Sequence, residues 1–197
     1  MKANIGDKIT LGSYPQAKYT TEGAPIQWTV LDVQDGKALL ISDQILESVR
    51  FNEKYADTTW ETSILRKWMN GEFLEKAFTD AERESIVSVK VETPDNDFRG
   101  TKGGNATEDK VFALSKEELE KYFPDAASRR APATPHCAEA GIYTYDETGY
   151  SIWWLRSPGY RQFAFSRVNT GGTLSDMIYD DIKAHRGARP AMWVKVD

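Results

Sequence analysis

The chain has 197 residues, 40% of them hydrophobic, with 30 acidic against 25 basic side chains and a formal net charge of −5. This size is best met by one domain, and the lack of a Lys/Arg run able to neutralise a row of phosphates argues against DNA and RNA as partners. No stretch reaches the roughly 20 apolar residues of a membrane span, residues 2–8 contain no signal-peptide core, and the single cysteine, Cys137, excludes an internal disulfide and a cysteine-rich metal cluster.

Residues 5–11 alternate polar and apolar side chains ahead of Gly12-Ser13-Tyr14-Pro15, which reads as a turn. Residues 26–33 and 37–42 flank Asp35-Gly36, a strong hairpin signal. From Thr58 the period becomes helical: Ser63, Ile64, Leu65, Trp68 and Met69, an interruption at Gly71, then Phe73, Leu74, Ala77 and Phe78 predict two short helices with a break. Thr79 with Glu82 has the spacing of a capping box, and residues 86–91 form an extended β-branched run. Residues 93–109 hold Pro94, Asp95, Asn96, Asp97 and several Gly, and read as one long surface loop without a buried face.

Residues 111–114 are predicted as a short strand, and Ser115 with Glu118 as a second capping box opening a helix over 116–123 that Pro124 stops. A Pro/Ala-rich connection, residues 126–135, leads to a short helix over 136–140 with Gly141 as its cap. The last third reads as strands and turns: 152–155, the turn Ser157-Pro158-Gly159, 164–168, Gly171-Gly172, and a closing strand over 191–196. Strands first, helices in the middle and strands last define an α+β domain whose closing strand can pair with the opening ones.

The chemistry-bearing residues are sparse. Asp95, Asn96 and Asp97, with Glu92 and Asp109 nearby, lack the spacing of a calcium loop and read as a polar turn. His136 and Cys137 are adjacent, so on a helix they do not face each other as a base and nucleophile would, and Cys137 reads as a small buried residue. Trp153 and Trp154 alternate across a strand, one toward the core and one toward a neighbouring loop; Arg156 is expected to bind turn carbonyls or a carboxylate, and Arg189 to lock the final strand. No cofactor is implied.

Residues 160–186 differ, combining Tyr, Arg and Phe with polar side chains and few aliphatics. Tyr and Arg are enriched at binding hot spots, and Ser and Asn add adaptable hydrogen bonds. Tyr160, Arg161, Phe163, Phe165, Arg167, Asn169, Thr173, Ser175, Tyr179, Asp180, Asp181 and His185 are therefore the candidate ligand-binding residues. Phe163 and Phe165 share one strand face, so at least one of them is also a core candidate.

Trp153-Trp154-Leu155-Arg156-Ser157-Pro158-Gly159, then Ala164, Val168, Gly172 and Leu174, then Gly187-Ala188-Arg189-Pro190-Ala191-Met192-Trp193-Val194 resemble the end of a bacterial and phage domain family of uncharacterised function. Upstream pieces continue the resemblance, among them Leu11-Gly12-Ser13-Tyr14-Pro15-Gln16, Trp28-Thr29-Val30-Leu31, Leu65-Arg66-Lys67-Trp68 and Gly103-Gly104-Asn105-Ala106-Thr107, so that it covers about residues 6–194. What it implies is a single C-type-lectin-like domain of the formylglycine-generating-enzyme-like subtype with its N- and C-terminal strands paired. Those enzymes rely on two active cysteines, which one cysteine cannot supply.

The same ending is similar to that of variable proteins of diversity-generating retroelements, ligand-binding receptors whose segment between the two blocks is mutated at template adenines. Most residues of 160–186 are reachable from Asn codons in that way; Gln162, Met177 and Lys183 are not, so either those three are template-fixed or the segment is not diversified. The reading is a non-enzymatic receptor for a protein or cell-surface ligand, with 160–186 as its variable face. The alternatives are a carboxylate-dependent hydrolase or transferase working under the 93–109 loop, and a structural module of a phage particle or bacterial surface complex. Oligomeric state is left open.

Overall fold

The computed structural model describes residues 2–176 and 185–196. Strand β1 (Lys8–Pro15) lies antiparallel to β2 (Gly23–Gln34), which turns through Asp35-Gly36 into β3 (Lys37–Ser42). Asp35 and Gly36 adopt φ of 50° and 69°, the backbone that a two-residue hairpin turn demands. The turn predicted at Gly12-Ser13-Tyr14-Pro15 is instead a bulge inside β1, where the register shifts between Thr10 and Ser13. Gly12 takes φ +69° so close to Phe78 that a β-carbon there would lie 2.6 Å from the ring. A bulge bends a strand without ending it.

After β4 (Glu47–Val49), the Ser63-capped helix α1 (Ile64–Trp68) continues through a π turn (Met69–Phe73) into α2 (Leu74–Ala77). Gly71 therefore breaks nothing; the wider π turn absorbs it and keeps Leu65, Met69, Phe73 and Ala77 buried. Thr79 and Glu82 form the predicted capping box of α3 (Asp80–Ser85). The extended run 86–91 divides into β5 (Ile86–Val87) and β6 (Val89–Val91), and β6 pairs with β7 (Thr107–Asp109) as a separate ribbon.

Residues 111–114, expected as a strand, make only a bridge between Phe112 and Ala191. The Ser115–Glu118 capping box then opens α4 (Lys116–Tyr122). The Pro/Ala-rich connection contains a further short helix, α5 (Ala126–Arg129), which Asp125 caps, and α6 (Pro135–Glu139) follows. A two-stranded ribbon, β8 (Thr144–Tyr145) with β9 (Tyr150–Ser151), precedes β10 (Trp153–Pro158), β11 (Phe165–Val168), β12 (Leu174–Ser175), β13 (Arg186–Ala188) and β14 (Ala191–Lys195). Strand β10 runs through Ser157 and Pro158, where a turn was expected.

These strands make two five-stranded sheets, ordered β1-β2-β3-β14-β5 and β12-β11-β10-β13-β4, and the architecture is mixed α+β. Strand β14 inserts between β3 and β5, antiparallel to both, so the closing strand does join the opening hairpin. In the second sheet β10 and β13 run parallel. Trp28, Trp60, Trp153, Trp154, Tyr14, Phe51, Phe73 and Phe165 are the largest fully buried side chains. No helix among the described residues is long and apolar enough to cross a membrane.

Both tryptophans of β10 are core, not one of them, because the sheet is covered on each face. The Trp153 indole N–H donates to the Arg129 carbonyl at 3.2 Å, and that of Trp154 to Val49 at 2.9 Å. Arg156, 3% exposed, donates to both oxygens of Glu118 and to the carbonyls of Ala113 and Glu92. Arg189 donates to the Ser42 carbonyl at 2.9 Å, and its guanidinium lies 4.9 Å from the Trp153 ring centroid. Burial pushes the Arg189 guanidinium down to about 10, against the nearby Asp43 charge.

Removing the guanidinium would leave the Ala113 and Glu92 carbonyls without its bonds and Glu118 without its cation, and a buried acceptor left unpaired costs about 1–3 kcal/mol. Arg156→Ala is expected to cost about 3–5 kcal/mol, read as a lower urea midpoint; an unchanged midpoint would show that this guanidinium does not hold the second sheet to α4.

Candidate functional site

The end of β10 fixes the start of the predicted binding segment. The Gly159 N–H donates to the Ala164 carbonyl at 2.8 Å, that of Ala164 to Arg161 at 2.8 Å, and that of Tyr160 to Asp176 at 2.7 Å. A β-carbon on Gly159 would lie 3.1 Å from the Ala164 carbonyl, so glycine permits this close return. The chain leaves β10, projects Tyr160, Arg161 and Phe163, and re-enters as β11.

Gln162, inside that projection, is a clamp. Its amide nitrogen donates to the carbonyls of Thr58 at 3.2 Å and Lys102 at 2.9 Å, and its amide oxygen accepts from the Lys102 N–H at 2.7 Å. The 93–109 loop is thereby fastened to the segment, and Thr101 Oγ1 adds a bond to the Gly159 carbonyl at 2.8 Å. The loop expected to lack a buried face has one, made of Thr93, Thr101, Thr107 and Asp109. Asp109 accepts from Trp60 Nε1 at 2.8 Å, Thr107 Oγ1 at 2.6 Å and Arg66 Nε at 2.7 Å. A buried carboxylate needs such partners.

The docked loop presents Phe98, 84% exposed, and Arg99. The Arg99 guanidinium lies 4.6 Å from the Phe98 ring centroid and 4.2 Å from that of Tyr160, within cation–π range of both. Arg161 stands 5.8 Å from the same Tyr160 ring, and Phe163 meets the exposed Tyr55 edge-on at 5.9 Å. Beside Phe98 a cavity of about 220 Å³ is bordered by Asp95, Asp97, Lys116 and Pro158. Phe98 and Arg99 lay outside the residues singled out from sequence. The available signal was an aromatic and a cation inside a Pro/Asp/Asn/Gly-rich run, which turn formation does not require.

The other candidate residues are dispersed. Phe165 is core, 1% exposed, and stacks on Phe51 with centroids 3.4 Å apart. Arg167 donates to Asn169 Oδ1 at 3.0 Å, and burial, then the neighbouring Arg186 charge, pushes its guanidinium down to about 10. Asn169 and Thr173 hydrogen-bond each other across the β11–β12 turn. Ser175 lines a small cavity with Lys116 and Asp176. His185 belongs to a separate cleft, accepting from Arg50 Nε at 3.0 Å beside Glu47 and Trp68. Tyr179, Asp180 and Asp181 lie outside the described residues, as do Met177 and Lys183.

Asp95 accepts from Lys102 Nζ at 2.7 Å and from the Gly103 N–H at 2.9 Å, and the Lys102 bond, followed by the Gly103 amide, holds its carboxyl below the usual range. Among the described residues no three His, Cys, Asp or Glu side chains are grouped to hold a metal ion. The His136 ring turns to Glu47, 3.4 Å away, while Cys137 is buried and its thiol is pushed up by burial and then by the Glu47 charge.

Fold and surface thus define a mixed α+β protein with an aromatic and arginine cluster exposed at the end of its second sheet. Residues 35–196 match the model of the family described as Domain of unknown function (DUF6273), and the chain belongs to that family. No curated protein and no solved structure matches it.

Phe165→Ala is expected to cost about 3–5 kcal/mol as a core truncation, whereas Phe98→Ala stays within about 0.5 kcal/mol; equal midpoints in urea would contradict this division between core and surface. Cys137 is expected to resist iodoacetamide in the native state, reacting roughly a thousandfold or more slowly than in urea because labelling follows the unfolded fraction. Rapid native labelling would mean that α6 opens locally.

Proposed function

We propose that this chain is a non-catalytic, receptor-type binding protein on a C-type-lectin-like fold, and that Phe98, Arg99, Tyr160, Arg161 and Phe163 form the core of its contact face for a protein or cell-surface ligand. The observation that carries the reading is Arg99 within cation–π range of two rings, one of which, Phe98, is 84% exposed. An exposed large aromatic forgoes burial worth about 1.5–3 kcal/mol, which a docked partner recovers. The Gln162 clamp and the Thr101–Gly159 bond hold the face in place beforehand, which lowers the entropy lost on binding. The first and last strands share one sheet, with β14 paired to β3 of the opening hairpin and β1 two strands further out, and this shared sheet supports the lectin-like assignment.

Diversification by a retroelement is part of the proposal, and the geometry restricts where variation is tolerable. Gln162, unreachable from an Asn codon, is the clamp, and Phe165 fills the core. Tyr160, Arg161, Asn169 and Thr173 have side chains that can change without emptying the core. For a carboxylate-dependent hydrolase or transferase the loop offers less, since Asp95 is committed to Lys102 and Asp109 to Arg66.

The test uses the fluorescently labelled chain on a panel of intact bacterial cells. Saturable binding that falls more than tenfold in Tyr160→Ala and Phe98→Ala, with an unchanged thermal melt, supports the face; binding to no cell type, or binding indifferent to both substitutions, leaves the structural-module reading. Sequencing the locus across its source population is expected to find variation at codons 160, 161, 169 and 173 with 162 and 165 fixed. Uniform conservation of residues 160–186 would remove diversification.

A further inference from the structure

The free edge of β4 looks across to α1 and the π turn, and between them lies an open cleft of about 370 Å³, a size typical of small-ligand sites. Its lining combines an apolar wall, Ile64 and Trp68, with three carboxylates, Glu47, Glu53 and Glu72. Arg50, the one guanidinium among the described lining residues, donates its Nε–H to His185 Nε2, and His185 Nδ1 lies 3.2 Å from the Ser48 carbonyl. Among the described residues the lining thus carries three carboxylates against one guanidinium.

Glu47 is not free to swing away. Its Oε2 accepts from the Tyr14 hydroxyl at 2.9 Å and lies 3.4 Å from His136 Nε2, while its Oε1 accepts from the Ser48 N–H at 2.9 Å. These contacts hold a carboxylate fixed beside an indole. Glu53 and Glu72 form no ion pair among the described residues and stand exposed at the cleft's rim. Ser48, the next residue along β4, is 8% exposed, and its hydroxyl is buried.

We propose that this cleft binds a primary alkylammonium group on an apolar stem, the stem lying on Ile64 and Trp68 and the ammonium held by Glu47 and Glu72. An anion would meet three carboxylates, and a neutral apolar ligand would pair with none of them. A cation with an apolar tail pairs with the carboxylates and lies against the Trp68 ring. The same chemistry has two sources, a free diamine and a lysine side chain of a partner protein.

Nitrogen-15 NMR of the intact chain, following the Trp68 indole N–H and the amides of Ser48 and Arg50, tests the assignment with 1,5-diaminopentane, with N-acetyl-lysine methylamide, and with 1-pentanol as the neutral stem. Saturable shifts from both amines and none from pentanol are expected; shifts from the diamine alone restrict the ligand to small amines, and either result supports the site. Glu72→Gln, at the rim and outside the Tyr14 network, is expected to weaken binding about tenfold, the loss of one charge-assisted contact. Glu47→Gln should do at least as much, and Phe98→Ala nothing. Absence of saturable shifts from both amines at millimolar concentration, equal response to pentanol, or full affinity in both glutamate variants would overturn the proposal.

Discussion

One buried guanidinium, that of Arg156, sets the relation between the second sheet and everything packed on it. It projects from β10 and takes both oxygens of Glu118, the third residue of α4, whose carboxylate also closes the capping box on Ser115. Its remaining bonds go to the carbonyls of Ala113 and Glu92. Glu92 and Ala113 bracket the 93–109 loop, so a single cation ties both flanks of that loop to the strand from which Tyr160 emerges. The meeting of Arg99 with Tyr160 follows from this: the loop has little freedom to dock anywhere else. Desolvating an arginine is expensive, and the bidentate carboxylate with two carbonyls is the arrangement that offsets it.

Features encoded over a few residues were legible in the sequence. Asp35-Gly36 gave its hairpin and both predicted capping boxes formed, because turn and cap energetics depend on neighbours in the chain. Features set by distant packing were not. The Gly12 turn became a bulge because Phe78, some sixty residues later, occupies the space a side chain would need. Gly71 did not break its helix because the buried row from Leu65 to Ala77 rewards continuity more than glycine penalises it. The role of β13 beside β10 was invisible for the same reason, parallel pairing being entirely non-local.

The candidate site was legible in part. Residue type marked Tyr160, Arg161 and Phe163 as contact candidates, and period two flagged at least one of Phe163 and Phe165 as core; the structure buries Phe165, whose ring meets Phe51, and packs the half-buried Phe163 against the edge of the core. Phe98 is masked by its neighbours, since the Asp, Asn and Gly around it signal a turn. Asp109 likewise sits in a run of loop composition, and burial of its carboxylate under Trp60 and Arg66 is what gives the loop an inner face.

The order of the second sheet keeps its two surface features apart. The aromatic and arginine cluster grows from the β10–β11 connection, and the acidic cleft from β4, with β13 between β10 and β4. From β10, the strand from which Tyr160 emerges, to β4 there are two inter-strand spacings of about 4.8 Å, so roughly 10 Å, before the outward reach of the side chains is added. That already matches the Debye length of about 10 Å at 0.1 M salt, so charges on one feature act only weakly on the other through solvent. Coupling would have to pass through the sheet itself, whose centre is the buried pair Trp153 and Trp154, and close-packed aromatics of this kind resist graded deformation. A ligand at either feature is therefore read by its own local chemistry: rings and guanidinium groups on one side, carboxylates and an indole on the other.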